Sequence, residues 1–118
     1  MRWPIVASVL IGTLVPTWAS AKQPFEGVWG AAKADCTDPD GTNRMTIEGR
    51  HFGWYETQCR VANMSRGRGY WTVRMACQGE GEKWHETTRL SLLSKDRLVM
   101  KNSPVGPTKQ QVYIRCSA

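Results

Sequence analysis

The sequence predicts an all-β fold: a small antiparallel meander barrel of seven or eight short strands, stapled by two disulfides. Three observations predict it. After residue 21 no window repeats apolar residues at the helical spacing over three turns. Short runs rich in Trp, Tyr, Val, Ile and Thr are separated by Gly, Pro, Asn and Asp, as in strands joined by turns. The same part of the chain holds all 4 cysteines, enough for two bridges.

Residues 1–21 have the pattern of a secretory signal peptide. Arg2 supplies a positive charge, Trp3–Trp18 is uncharged and mostly apolar, and Ala19-Ser20-Ala21 is a small-x-small cleavage site. A membrane-spanning helix needs about 20 apolar residues, and this run is shorter and interrupted by glycine and proline. We therefore expect a periplasmic or secreted protein without a stable membrane anchor, whose residues 22–118 form one domain.

Seven runs in the mature part are predicted strands, and the segments between them are rich in turn-forming residues. Consecutive strands joined by short links pair antiparallel, which gives a meander. No internal repeat or linker divides the chain. The strands are Phe25–Ala31, Arg44–Gly49, Phe52–Val61, Tyr70–Gln78, Lys83–Leu93, Arg97–Asn102 and Gln110–Cys116.

Alternation along three strands predicts the face that is turned inward. A sheet with one apolar face and no helix to cover it is expected to close on itself, which also removes its exposed edges. The predicted inward residues are Trp71, Val73, Met75 and Cys77 in the fourth strand, Trp84, Leu90 and Leu92 in the fifth, and Val112, Ile114 and Cys116 in the seventh.

The cysteines predict a specific pairing. An even number in an exported chain indicates disulfides, and the wide spacing lacks the close pairs of a zinc site. A hairpin turn centred on Arg68 places Cys59 and Cys77 opposite each other, nine residues away on either side. Cys36 is then left for Cys116. In a seven-strand meander the first and last strands run in the same direction, so these two ends meet when the barrel closes; an eighth strand would reverse that geometry.

The charge of the mature chain favours an anionic partner. Without Arg2, 15 basic residues face 10 acidic residues, a net charge of +5. Envelope polysaccharide, an acidic protein surface and anionic lipid fit this balance, although it can also serve solubility alone. Nucleic acid is a poor first candidate for an exported protein.

The segment CRVANMSRGRGYWTVRM, residues 59–75, is the most distinctive polar feature. Arginines beside aromatic rings can hold phosphate, sulfated or uronic sugars, or an acidic protein surface. Glycines near the turn would let its tip approach a partner. The alternative is a solvated hairpin whose charges only face water. The candidate partner-binding residues are Arg60, Arg66, Arg68, Tyr70 and Arg74.

Other polar groups do not predict catalysis, a metal or a cofactor. On a strand, His85 would point away from Glu82 and Glu86. The segment DPDGTN, residues 38–43, lacks the glutamate that completes a calcium loop. There is no Gly-x-Ser-x-Gly motif for a nucleophilic serine. The expected protein is therefore not an enzyme.

The opening FEGVWG, residues 25–30, followed by Cys36, resembles the first strand of lipocalin-like barrels. In those barrels the tryptophan of Gly-x-Trp lies across one end, and a basic residue of the last strand packs over it. The resemblance implies these roles for Trp29 and Arg115. In length the chain is similar to the small periplasmic barrels of the bacterial metalloprotease-inhibitor family, in which an extended N-terminal segment enters the protease cleft.

These observations predict a monomeric periplasmic binding protein that inhibits or sequesters a protein partner, or holds an anionic envelope component, through a surface loop. The alternative is a lipocalin-like carrier of a small apolar ligand. A cavity lined by Trp54, Trp71 and Trp84 would favour the carrier. A filled core with a protruding loop at 66–69 would favour the protein partner. A small hydrolase is a distant third possibility.

Overall fold

The computed structural model describes residues 22–105 and 110–117. The predicted signal peptide, residues 1–21, lies outside them. Each strand pairs antiparallel with the next, and the last returns to the first, so the sheet is a closed meander barrel. The predicted fold class is confirmed. The strands are β1 (Gly27–Gly30), β2 (Arg44–Glu48), β3 (His51–Gly53), β4 (Thr57–Arg66), β5 (Trp71–Gly79), β6 (Glu82–Ser94), β7 (Arg97–Lys101) and β8 (Gln110–Ser117), with a 3₁₀ helix at Lys33–Thr37.

The eighth strand comes from the predicted run Phe52–Val61, which the structure divides. The backbone N–H of Trp54 donates to the carbonyl of Thr57 over 2.8 Å, closing a tight turn between β3 and β4. The two halves then pair, with Phe52 opposite Cys59. The division makes β1 and β8 antiparallel neighbours.

The inward faces predicted for β5 and β6 hold. Trp71, Val73, Met75 and Cys77 are at most 8% exposed, and Leu90 is fully buried, with Trp84 and Leu92 packed against the same core. In β8 the predicted face is wrong. Tyr113 is buried, whereas Val112 is 38% exposed. The register explains the error, because Tyr113 pairs with the buried Leu98 inside the barrel and Val112 pairs with Val99 outside.

Trp29 and Arg115 close one end of the barrel. Trp29 is fully buried, and its indole N–H donates to the Phe25 carbonyl over 2.8 Å. The Arg115 guanidinium lies 4.3 Å from the Trp29 ring centroid. It also donates to the carbonyls of Pro24, Glu26 and Lys95. The last strand therefore fastens the N-terminal segment over this end.

Both predicted disulfides are present, Cys59–Cys77 and Cys36–Cys116. The first joins directly opposed residues of β4 and β5 inside the barrel. The reason given for the second was wrong, because β1 and β8 are antiparallel and their C-terminal ends do not meet. Instead the 3₁₀ helix folds back against β1. A Cβ on Gly30 would lie 3.0 Å from the Ala32 carbonyl oxygen and 3.3 Å from the Cys116 sulfur, so this approach depends on glycine.

Candidate functional site

The turn between β4 and β5 presents the arginines that the sequence singles out. The Gly67 N–H donates to the Tyr70 carbonyl over 2.8 Å, and Gly69 adopts a positive φ of 72°. A side chain on Gly67 would collide with the Tyr70 ring, so glycine there lets the ring lie over the turn. Arg66 and Arg68 are exposed.

Aromatic rings hold two arginines at this turn. The Arg66 guanidinium lies 5.0 Å from the Trp71 ring centroid, and the Arg89 guanidinium lies 4.6 Å from that of Tyr70. Within residues 22–105 and 110–117, the one ion pair joins Arg115 to Asp96. The guanidinium groups of Arg66 and Arg89 are therefore placed by ring faces, and no described carboxylate occupies their N–H donors.

Sequence reasoning missed Arg89. It belongs to β6, and only the register of β5 against β6, with Thr72 opposite Arg89, brings it beside Tyr70. A signal was available, because Arg89 alternates with the inward Leu90 and must face outward. Because Arg89 is distant from the hairpin along the chain, its contact with Tyr70 could not be recognised from the sequence.

The outward positions of β4, β5 and β6 form a surface with four cations and no carboxylate. Glu82 and Glu86 of β6 take the opposite, inward parity. This surface is therefore more basic than the net charge alone indicates. Its members, read from the strand register, are Gln58, Arg60, Asn63, Ser65, Thr72, Arg74, Ala76, Gln78, Lys83, His85, Thr87 and Arg89.

The structure divides the predicted partner-binding set. Arg60 and Arg66 lie six residues apart on β4, about 20 Å at the usual strand rise. Arg60 stands opposite Ala76, in the half of the surface remote from the turn. The remaining residues lie nearer the turn, with Arg66 opposite the inward Trp71 at the barrel end and Arg74 at an outward position of β5. We call this second group the hairpin surface: Arg66, Arg68, Tyr70, Arg74 and Arg89.

The barrel interior is filled with side chains. Trp54 is 6% exposed and Trp71 is 8% exposed, both within one continuous core, and Trp84 packs against it. Eight strands enclose an interior just wide enough for packed side chains. Two of the three tryptophans named as the lining of a ligand cavity, Trp54 and Trp71, are therefore core residues, and Trp84 is partly buried against them. The observation favours the alternative in which a partner binds outside the barrel.

Tyr113 carries the one buried phenol whose pKa is displaced. Burial raises its pKa above the usual value, and hydrogen bonds with Trp54 and Ser103 partly oppose the rise. The Trp54 indole N–H donates to the Tyr113 oxygen over 3.3 Å. This pair ties β8 to the turn after β3.

The raised pKa of Tyr113 predicts loss of stability at alkaline pH. The folded state holds the phenolic proton more tightly than the unfolded state. The contribution of protonated Tyr113 to the free energy of unfolding is therefore fully present below the unfolded pKa of about 10, and it is lost as pH rises through the folded pKa. We expect the free energy of unfolding to fall as pH rises above about 10, the pKa of an unperturbed tyrosine. Tyr113→Phe should flatten the profile in denaturant titrations; an equally steep profile would contradict the assignment.

Outside the hairpin turn, the pKa of one exposed carboxyl group is also displaced. Glu56 and Glu80 lie together on the exposed surface, where the hydrogen bond that protonated Glu56 donates to Glu80 and the negative charge of Glu80 raise the pKa of Glu56. No cluster of three metal-ligating side chains occurs among the described residues. His85 faces outward, opposite Ala76, whereas its neighbour Glu86 is at an inward-facing position opposite Met75.

Comparisons of the chain with protein-family models, curated proteins and solved structures gave no match. Two disulfides are compatible with an extracellular or periplasmic protein. No helix in the described ranges has the length and apolar character needed to cross a membrane.

Proposed function

We propose that the protein is an exported binding protein that inhibits or sequesters a protein partner through the hairpin surface. The observation that carries the proposal is the placement of Arg66 and Arg89 over aromatic rings without a described carboxylate partner. Guanidinium groups held in this way present free N–H donors to acidic side chains of a partner.

Pre-organisation makes such a surface effective in binding. Ordering a long side chain at an interface costs about 0.5–1.5 kcal/mol. An exposed cation–π contact stabilises the arginine by about 0.5–1 kcal/mol in the free protein. The arginine side chain is therefore already partly ordered before the partner binds. Arg68, at the tip of the same turn, adds a third exposed cation.

The N-terminal segment favours binding through a loop. In the inhibitor family that the sequence resembles, an extended N-terminal segment enters the protease. Here the Gln23 N–H donates to the Glu26 carboxylate, and the Pro24 carbonyl accepts from Arg115. The Glu26 carboxylate also accepts from the Gly49 N–H over 2.7 Å. Because these hydrogen bonds hold the segment against the barrel end, we assign the contact with a protein partner to the hairpin surface.

Charge reversal tests the proposal. Residues 22–118 are immobilised and exposed to an envelope extract of the source cells, and retained proteins are quantified by mass spectrometry. Arg68→Glu/Arg89→Glu should retain an acidic partner at least about tenfold less, because one close charge pair across an interface is worth about 1.5 kcal/mol or more. Lys33→Glu/Arg97→Glu applies the same charge change to exposed residues outside the hairpin surface and should retain it normally. Equal retention by both variants, or no retained protein, would refute the proposal.

A further inference from the structure

A groove lined by polar and apolar residues crosses the outer face of β2–β6, remote from the hairpin turn. It consists of two adjoining cavities of about 560 Å³ and 410 Å³. Both are lined by His51 and Gln58, so they are continuous at that point. Arg60, which the structure separates from the hairpin surface, lines the larger cavity.

The groove exists because two outward positions lack a large side chain. One cross-strand row runs from His51 through Arg60 and Ala76 to His85, each opposite the next. Ala76 therefore leaves open space between Arg60 and His85. In the adjacent row Gly53 stands opposite Gln58. A Cβ on Gly53 would lie 3.0 Å from both the Gln58 Oε1 and the His51 Cε1, so glycine lets these two side chains lie low across the strand at this point of the groove.

The two cavities differ in chemistry. The larger one is lined by the cations Arg60 and Lys83, two imidazoles and the amides of Gln58 and Gln78. These are hydrogen-bond donors for an anionic group, and the amides also accept. The smaller cavity adds Arg44, the carboxylates of Asp40 and Glu48, and the aromatic Tyr55, which is 60% exposed.

This combination matches one class of ligand. Carboxylate and amide oxygens accept hydrogen bonds from sugar hydroxyls, and an exposed aromatic ring can pack against an apolar sugar face. Cations at the other end would hold a uronate or sulfate group. A peptide rich in aspartate and glutamate would satisfy the cations, but its ionised side chains cannot donate hydrogen bonds to Asp40 and Glu48 as sugar hydroxyls do. A volume of 560 Å³ also lies within the range of about 300–1,000 Å³ typical of ligand sites.

We propose that this groove binds an acidic oligosaccharide. The anionic sugar lies over Ala76 between Arg60, His85 and Lys83, and its neighbour extends across the His51 and Gln58 side chains toward Tyr55. The site is independent of the hairpin surface, so the protein carries a saccharide site in addition to its protein-binding site.

The test uses calorimetric titration with four defined probes: a uronic-acid tetrasaccharide, a sulfated tetrasaccharide, a neutral tetrasaccharide and a tetraglutamate peptide. At least one acidic saccharide should bind, at least about tenfold more tightly than the neutral one and the peptide, since one satisfied charged contact is worth about 1.5 kcal/mol or more. In NMR spectra the imidazole signals of His51 and His85 should shift on addition of that saccharide.

Ala76→Leu fills the groove floor without changing charge and should weaken saccharide binding at least about tenfold, because the side chain occupies the ligand volume. Ala34→Leu, at an exposed position on the 3₁₀ helix, should bind normally. Arg68→Glu/Arg89→Glu should also bind normally, which separates this proposal from that of the hairpin surface. No saccharide binding, a neutral saccharide or peptide bound as tightly, or binding unaffected by Ala76→Leu would overturn the proposal.

Discussion

Replacing Trp29 with alanine should lower the free energy of unfolding by about 3–5 kcal/mol, the usual cost of removing a buried tryptophan. Trp29 is fully buried, donates its indole N–H to the Phe25 carbonyl and supports the Arg115 guanidinium on its ring. The change removes all three contributions at once. Because small domains have a total stability of about 5–15 kcal/mol, the loss should be plain in chemical denaturation followed by circular dichroism.

Trp84→Ala is the matched control, because it deletes the same side chain from a partly buried position. Its effect should be clearly smaller than that of Trp29→Ala. If the two variants lost equal stability, or Trp29→Ala stayed within about 1 kcal/mol of the parent, the closed end would not depend on this indole.

Removing the Cys36–Cys116 bridge should cost about 4–5 kcal/mol in the chain-entropy model, since it closes a loop of 80 residues. The shorter Cys59–Cys77 loop, with a separation of 18, should contribute about 3 kcal/mol by the same reasoning. The longer loop restricts the unfolded chain more. Equilibrium unfolding of Cys36→Ala/Cys116→Ala in urea measures the effect.

The single variants provide an internal control. Cys36→Ala, Cys116→Ala and the double variant all break the same bond, so their losses should be nearly equal rather than additive. Additive losses would show that each side chain contributes through separate contacts and that the bridge itself stabilises little.

Local alternation was sufficient to predict much of the fold. The inward faces of β5 and β6 follow from single-residue alternation along long strands. The predicted pairing of Cys59 with Cys77 is also present, but Arg66 pairs with Trp71 beside the turn, and a bulge between Val61 and Asn63 shifts the register by one residue so that the cysteines face each other. In β8 the same rule failed, because Val112, Tyr113 and Ile114 are all apolar enough to be buried. Only pairing with Leu98 of β7 decides that Tyr113 faces inward. The pairing register between strands therefore determines which residue faces inward, and this register cannot be read from the residues of one strand.

The site was less predictable for the same reason. The arginines of the hairpin are neighbours in sequence and could be recognised together. Arg89 joins them only through the register of β6 against β5. The groove depends on Ala76 and Gly53, two small residues of different strands. Each one matters only because larger side chains surround it. A gap left by small side chains has no sequence motif.

Closure of the ring by β8 has a consequence for how the chain reaches its native state. Until β8 pairs with β1 and β7, both of those strands expose unsatisfied edges that can pair with other chains. The Arg115 contacts with residues 24–29 also require the last strand. Folding should therefore be completed late, after the C-terminal residues are available, and should be slowed by this long-range pairing. For the exported protein that we propose, a chain that stays unfolded until its last strand emerges would remain competent for threading through a narrow translocation channel.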